Sequence, residues 1–438
     1  MKVATKRLPP QLAEGAEVID LKLLRDQPDV VRASYARKGG VPELDSVIAL
    51  ARRHKEKLAE VETLRAEQNK ASKAIGKAVP DERQTAIAGA KKLSDRLKEM
   101  DPELDQLSLE LERKAAILPN LVYEQVPDGT TEEENVVERF AGDKPSFDFA
   151  PKEHVELGET LGIFDGDRGA KTSGSRFVYL TGKGVILELA LVRFVVDLLL
   201  ERGFTPVVPP VLVREKAMYG TGFLPAEEQE YYRIERDDLY LVGTSEVAIA
   251  SMHAEEILRS DQLPVRYAGF SSCFRREAGS YGRDTKGLIR VHQFDKVEQF
   301  SFAHPDESWG EYEVIRKNQE DILQALEIPY QVLVMCAGDL GASAAMKVDH
   351  EAWLPGAQRF LEVTSATNAT DYQARRLGAR FKGGGNEGTR LVHTLNGTAC
   401  AVGRTIVALL ENHQRADGSV AIPAALHKHT GFTELTPA

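Results

Sequence analysis

Between Asp45 and Leu118 the chain is built mainly from Ala, Glu, Lys, Leu and Arg, and its apolar residues advance in steps of three and four. The second half is the clearer: Ala90, Leu93, Leu97, Met100, Leu104, Leu107, Leu111 and Leu118 keep the repeat, with Lys114 in the one gap. Such a repeat gives a helix one apolar stripe and requires a partner helix to cover it. In the first half Val47, Leu50, Val61, Leu64, Ala71 and Ile75 fit, while His54, Lys57 and Gln68 interrupt. Residues 76–81, GKAVPD, are a turn signal between the halves. Two helices of about 30 residues joined by a tight turn zip antiparallel, each some 45–50 Å long at about 1.5 Å per residue. Pro102 falls inside the second helix, where a proline costs about 3 kcal/mol, so a bend or a tolerated break is expected. The outer face carries Arg52, Arg53, Lys55, Arg65, Lys70, Lys73 and Lys77, then Lys91, Lys92, Arg96 and Lys98. Acids are interleaved, so the pattern suits a dimerising or spacing coiled coil as well as a nucleic-acid arm.

The flanks set the domain plan. Residues 1–17 read as a flexible extension. A helical pattern starts at Asp20, Pro28 suits the first turn of a second short helix, and Gly39-Gly40 suits its end. Breakers from Pro119 to Gly129 form a linker, and an alternating, turn-rich region follows to residue 438. The expected domains are a helical unit over 18–122, with its coiled coil at about 45–118, and an α+β unit over 123–438. A formal net charge of −11 does not advertise a nucleic-acid binder, so any RNA contact must be a local basic stripe. Cys273, Cys336 and Cys400 lie far apart, which predicts neither zinc nor a disulfide framework and fits a reducing cytoplasm. Lys2, Lys6 and Arg7 precede Pro9-Pro10 with no apolar run behind them, so no secretory leader is expected. The greasiest run, 185–200, contains Glu188, Arg193 and Asp197 and reads as a buried amphipathic helix, with no membrane association.

Chemistry concentrates in residues 270–300, FSSCFRREAGSYGRDTKGLIRVHQFDKVEQF, read as a strand, a glycine-bearing loop and a returning strand. Side chains alternate along a strand. If 273–277 is extended, Arg275 and Glu277 share a face. On the return, Arg290, His292, Phe294, Lys296 and Glu298 share one, and Ile289, Val291 and Val297 oppose them. A solvated charged hairpin has the same look, but the order FRRE, loop, HQFDKVE is more particular. It resembles motif 2 of the class II aminoacyl-tRNA synthetases, in the form found in seryl-tRNA synthetases.

Other segments extend the resemblance over about 18–432. A long helix followed by GFTPVVPP (203–210) is similar to motif 1, which builds the dimer interface in that family, and GTGFLP (220–225) matches a family stretch. LVGTSE (241–246) resembles the T-x-E segment of the amino-acid pocket, although Thr244 or Ser245 could equally cap a helix with Glu246 in its first turn. EVTS (362–365) followed by DYQARR (371–376) keeps a family frame, with Ala366 and Ala369 where cysteines are common. LNGTACAVGRT (395–405) resembles motif 3, with Thr398 where serine is frequent. GGGNEG (383–388) and the hairpin loop 278–287 read as mobile.

The resemblance implies an α+β class II core, an antiparallel sheet flanked by helices, behind a tRNA-binding arm. It implies ATP-dependent conversion of L-serine to seryl-adenylate and transfer of the seryl group to the 3′ end of tRNA(Ser). Arg275 would hold the ATP α-phosphate and the substrate carboxylate, Arg404 the far phosphates, and Phe294 and Glu277 the adenine, with Arg276, Val363 and Thr364 alongside. Glu362 and Ser365 would hold Mg²⁺. Serine would sit among Thr244, Ser245, Glu246, Arg275, Glu298, Asn396 and Thr398. A homodimer is implied, with the arm gripping tRNA across it. Rival readings are a class II synthetase for another small amino acid, a carrier-protein ligase and a non-catalytic tRNA binder. A second seryl enzyme serving a biosynthetic pathway or resisting an inhibitor is a further one. The long arm and the paired Arg275 and Arg404 count against the carrier ligase and the non-catalytic binder.

Overall fold

The computed structural model describes residues 19–76, 79–225, 228–278, 287–383 and 388–437. The 1–17 extension, most of the 278–287 loop, most of the 383–388 glycine run and Lys77 lie outside them. The chain divides after Leu118 into two units. In the first, Asp20 caps α1 (Leu21–Asp26), its carboxylate accepting the Leu23 N–H at 2.8 Å. Proline opens α2 (Pro28–Arg37), and Gly39 and Gly40 follow it with positive φ.

Helices α3 (Leu44–Ile75) and α4 (Pro80–Ala115) form the antiparallel coil. Its centre buries Val61 and Leu64 against Leu97, Met100 and Leu104. The interruptions in the first half are absorbed across the coil. His54 Nε2 meets Ser108 Oγ at 3.0 Å, and Lys57 Nζ meets Glu103 at 2.7 Å. Lys57 can lay its stem along the apolar seam and keep its ammonium on Glu103. Helix α4 runs unbroken through Pro102, so the proline is tolerated and the expected break is absent. Apart from Lys77, the basic residues of the outer face are exposed.

The second unit is organised on an eight-stranded sheet. Its strands are β1 (Val136–Ala141), β2 (Thr205–Val207), β3 (Val265–Phe274), β4 (Gln293–Ala303), β5 (Tyr330–Val334), β6 (Met346–Leu354), β7 (Arg359–Thr370) and β8 (His393–Ala401), in the spatial order β1-β5-β6-β7-β8-β4-β3-β2. All neighbours are antiparallel except β2 with β3. Helices α5 (His154–Thr160), α6 (Gly166–Ser173), α7 (Lys183–Glu201), α8 (Glu215–Thr221) and α9 (Glu246–Met252) precede or interrupt the early strands, and α10 (Ser308–Ala325), α11 (Tyr372–Leu377) and α12 (Val402–Asn412) the later ones.

Strand alternation splits β4 between two cores. Val297 and Ala303 join the large cluster with Leu187, Leu191, Ile315 and Ile406 of α7, α10 and α12. Phe300 and Phe302 join a smaller cluster with Ile249 of α9 and Leu377 of α11. Phe294, Lys296 and Glu298 share the parity of these two phenylalanines and lie just before them. The expected polar face is therefore a recess at the end of a buried strand, and most of β4 is buried on both sides.

The parity reading needs one correction. Strand β3 ends at Phe274 and β4 begins at Gln293, so Arg275, Glu277, Arg290 and His292 belong to no strand and share no strand face. Glu277 is left-handed, with φ 50°. Arg290 nevertheless meets Glu277, because the chain turns at each strand end.

Candidate active site

Two irregularities of the sheet assemble the site. Strands β4 and β8 pair Val297 with Cys400 and then Glu298 with Thr398, leaving Ala399 as a bulge. Strands β6 and β7 pair His350 with Thr364 and then Glu351 with Glu362, leaving Val363 as a bulge. A three-residue separation on a regular strand puts two side chains on opposite faces. The bulge at Val363 reverses that parity. Leu361, Val363 and Ala366 point into the large core, so Glu362 and Ser365 turn to the other side together.

Glu298 and Glu246 sit at one end of the recess, 1% and 5% exposed. Thr398 donates its hydroxyl to Glu298 Oε2 at 3.1 Å, and Lys296 Nζ lies 2.6 Å from the same oxygen. Asn396 Nδ2 links the two carboxylates, donating to Glu246 Oε2 at 3.0 Å and Glu298 Oε1 at 3.3 Å. Gln373 Nε2, from α11, donates to Glu246 Oε1 at 2.7 Å. Buried carboxylates need such partners. Two carboxyl groups and the Lys296 side chain thus meet at this end.

Thr244, Ser245 and Glu246 are all buried at the start of α9. Thr244 supplies the capping bond of the two hydroxyls, and Ser245 does not. Thr244 Oγ1 accepts the Glu246 N–H at 3.3 Å, and Ser245, the residue before the helix, donates to the Gly269 carbonyl of β3 at 3.2 Å. Gly269 lies opposite Glu298. A Cβ there would stand 2.3 Å from Ile249 Cδ1 and 2.8 Å from Ser245 Oγ. Only glycine lets the 244–246 turn settle onto the strand, which makes Ser245 a support of the pocket.

Arg275, Glu277, Phe294, Lys296, Glu362, Val363, Thr364, Thr398 and Arg404 line one cleft, joined by Arg290. Arg275 Nε donates to the Gly243 carbonyl at 3.3 Å, and its guanidinium carbon lies 5.5 Å from the Phe294 ring centre. Arg404, in the first turn of α12, binds Glu362 twice through Nη1, to the carbonyl at 2.8 Å and the carboxylate at 3.0 Å. Burial pushes the Glu362 carboxyl up, but Arg404 and Lys347 outweigh it and hold it at about 2. Glu277 pairs with Arg290 at 2.6 Å. Arg276 stands apart: it is exposed, lies 5.6 Å from the Tyr232 ring and does not line the cleft.

Lys296, Gln373 and Arg290 complete the site without having been assigned to it from sequence. Lys296 lies on the face marked out by the hairpin pattern, Arg290 just before its strand, and Gln373 inside the DYQARR segment. No local signal tells which carboxylate each one meets.

Comparisons with known proteins identify the family. Residues 18–122 match the family model for the seryl-tRNA synthetase N-terminal domain, and residues 231–413 that for the tRNA synthetase class II core domain (G, H, P, S and T). A serine--tRNA ligase of Beutenbergia cavernae is 50% identical over 423 residues, 95% of this chain and 99% of the relative. One from Thermobifida fusca is 48% identical over 96% of this chain and 99% of the relative. The crystal structure of seryl-tRNA synthetase from Pyrococcus horikoshii complexed with ATP superposes with a TM-score of 0.90 at 43% identity, covering 96% of this chain and all of that one. The AMP complex of the cytoplasmic Naegleria fowleri enzyme gives 0.86 at 30% identity, covering 95% of this chain and 98% of that one. A helical arm of the seryl type, a class II core and near-complete coverage by such relatives establish that the chain belongs to the seryl-tRNA synthetase family.

Proposed function

We propose that the recess binds serine at its Glu246–Glu298 end and ATP at its Glu362–Arg404 end. The activity is that of the family: serine is activated with ATP, and the seryl group passes to tRNA(Ser). A serine carboxylate oxygen attacks the α-phosphorus, the bond to the β-phosphate bridge breaks, and its electron pair leaves with pyrophosphate. The terminal ribose hydroxyl of tRNA then attacks the acyl carbon, AMP departs, and the hydroxyl proton is lost. No protein nucleophile is needed, so the residues act by alignment and charge.

The observation that carries the reading is the Asn396-bridged pair Glu246 and Glu298, whose Glu298 is held by Lys296 and Thr398, two side chains that line the same cleft as Arg275. The Glu246–Glu298 end suits the serine ammonium. Arg275 suits the carboxylate and the α-phosphate, since its planar fork can grip both. Glu298 and Thr398 suit the serine hydroxyl, and Asn396 and Gln373 keep the carboxylates aimed. Phe294 offers its face to adenine and Glu277 an acceptor for the exocyclic amine. Val363 and Thr364 form the wall beside them. Arg404 is freed from Glu362 to meet the outer phosphates.

Glu362 and Ser365 fit Mg²⁺, because the bulge sets a carboxylate held ionised and a hydroxyl on one side of β7. A hard cation takes only one or two protein oxygens when phosphates supply the rest. Bound there, it would neutralise charge on the phosphate oxygens. The helical unit over 18–122 would bind tRNA through the exposed basic face of α3 and α4. A homodimer would form on the outer face of α7, where Ile186 and Leu189 are 41% and 57% exposed. No helix among the described residues is long and apolar enough to cross a membrane, and a cytoplasmic site of action accords with the three unpaired, buried cysteines.

The test is amino-acid-dependent ATP–pyrophosphate exchange with serine, threonine, alanine and cysteine, followed by tRNA charging. Serine should lead. Alanine should trail by about 10⁴-fold, since it leaves buried polar groups without a partner. Exchange with threonine at a comparable kcat/KM would contradict the assignment.

A further inference from the structure

Glu277 stands on a left-handed backbone, φ 50°, which an L-residue keeps only when its surroundings hold it there. Much of the restraint comes from outside the β3–β4 hairpin. The residues on both sides of Glu277 are bound by one residue, Glu230. The Arg276 N–H donates to the Glu230 carbonyl at 2.8 Å, and the Ala278 N–H donates to Glu230 Oε2 at 3.2 Å. From another direction Arg176 Nη1 donates to the Glu277 carbonyl at 3.4 Å. Arg176 is itself left-handed, φ 63°, and its carbonyl accepts the His292 N–H at 3.1 Å. His292 is tied back to Arg275, whose N–H donates to the His292 carbonyl at 3.0 Å. The residue after Glu230, Tyr231, is buried against Gly243, where a Cβ would stand 2.7 Å from the ring.

We propose that Glu230 is a positioning residue for the nucleotide end of the cleft. Its carbonyl and carboxylate fix residues 276–278 so that the Glu277 carboxylate faces the cleft, and Arg176 closes the clamp. The next residue, Tyr231, packs separately against Gly243, whose carbonyl accepts from Arg275. The proposal rests on the assignment of Glu277 to the adenine end.

Exchange kinetics of the full chain, with ATP and serine varied separately, test it. Losing one hydrogen bond to a carboxylate corresponds to a factor of about 10 or more. Glu230→Ala should raise the ATP KM about tenfold and leave the serine KM within about twofold. Glu230→Gln should recover most of the loss, because its amide oxygen accepts the same N–H. Arg176→Gly keeps the left-handed backbone without the guanidinium and should raise the ATP KM several-fold. An unchanged ATP KM in Glu230→Ala overturns the proposal. So does an equal rise in both KM values that glutamine does not rescue, since that marks a structural role. Glu277→Gln separates the two layers. If it raises the ATP KM while Glu230→Ala does not, the clamp alone fails; if neither does, the assignment of Glu277 fails and takes the clamp with it.

Discussion

Gln373 offers the sharpest test of how the proposed serine end is held. Its side chain is fully buried, and Nε2 donates to Glu246 Oε1 at 2.7 Å and to the Thr221 carbonyl at 3.2 Å. Gln373→Leu keeps the volume and removes both bonds. A hydrogen bond to a charged group contributes about 1.5–3 kcal/mol, and one to a neutral carbonyl about 1 kcal/mol. The loss of folding stability should therefore reach about 2–4 kcal/mol, read from urea unfolding. Glu246 still accepts from Asn396, so the pocket should survive with one carboxylate poorly aimed. Serine-dependent exchange should then lose about 10- to 100-fold in kcat/KM, with the ATP KM within about twofold. A variant that is destabilised but binds serine normally would show that Gln373 only packs α11 and does not aim Glu246. A variant within about threefold of wild type in both measurements would refute the reasoning.

Two further outcomes follow from other parts of the molecule. Burial pushes the Glu320 carboxyl up, but the His350 ring 3.8 Å away and hydrogen bonds from Arg139 and Tyr330 bring it from the usual 4.5 to about 2. A lowered carboxyl stabilises the fold above its unfolded value and ceases to do so as pH falls through its folded value. Glu320→Gln should thus lose up to about 3 kcal/mol at neutral pH, and urea unfolding should show the gap from wild type closing between about pH 4.5 and pH 2. Deleting residues 50–112 removes most of α3 and α4 at points that face each other in the coil. Exchange should be spared and tRNA charging lost; unchanged charging would make the coil a purely structural element.

The sequence discloses those features that are local or periodic. The apolar steps of α4, the helix start at Asp20 and the proline opening α2 depend on near neighbours and reappear in the structure. Arg275 and Arg404, reached through motif order, line one cleft; Glu298 and Asn396, reached the same way, bond to each other, and Glu298 also bonds to the cleft residues Lys296 and Thr398. What stayed hidden depends on distant pairing. Gln373 meets Glu246 across 127 positions, and Glu230 meets Ala278 across 48. The bulge at Val363 decides on which side Ser365 lies, yet nothing in EVTS announces a bulge. The left-handed turn at Glu277 defeated the strand parity drawn through 275–277, because that conformation is imposed by Glu230 and Arg176 rather than by residues beside it.

The most direct measurement of the central claim is serine-dependent ATP–pyrophosphate exchange by the full chain and by Arg275→Ala, with unfolding curves for both. Arg275 is the side chain assigned to both the serine carboxylate and the α-phosphate. The account predicts robust exchange by the wild type, none detectable by the variant, and superimposable unfolding within about 1 kcal/mol. Full exchange by a folded Arg275→Ala would contradict it.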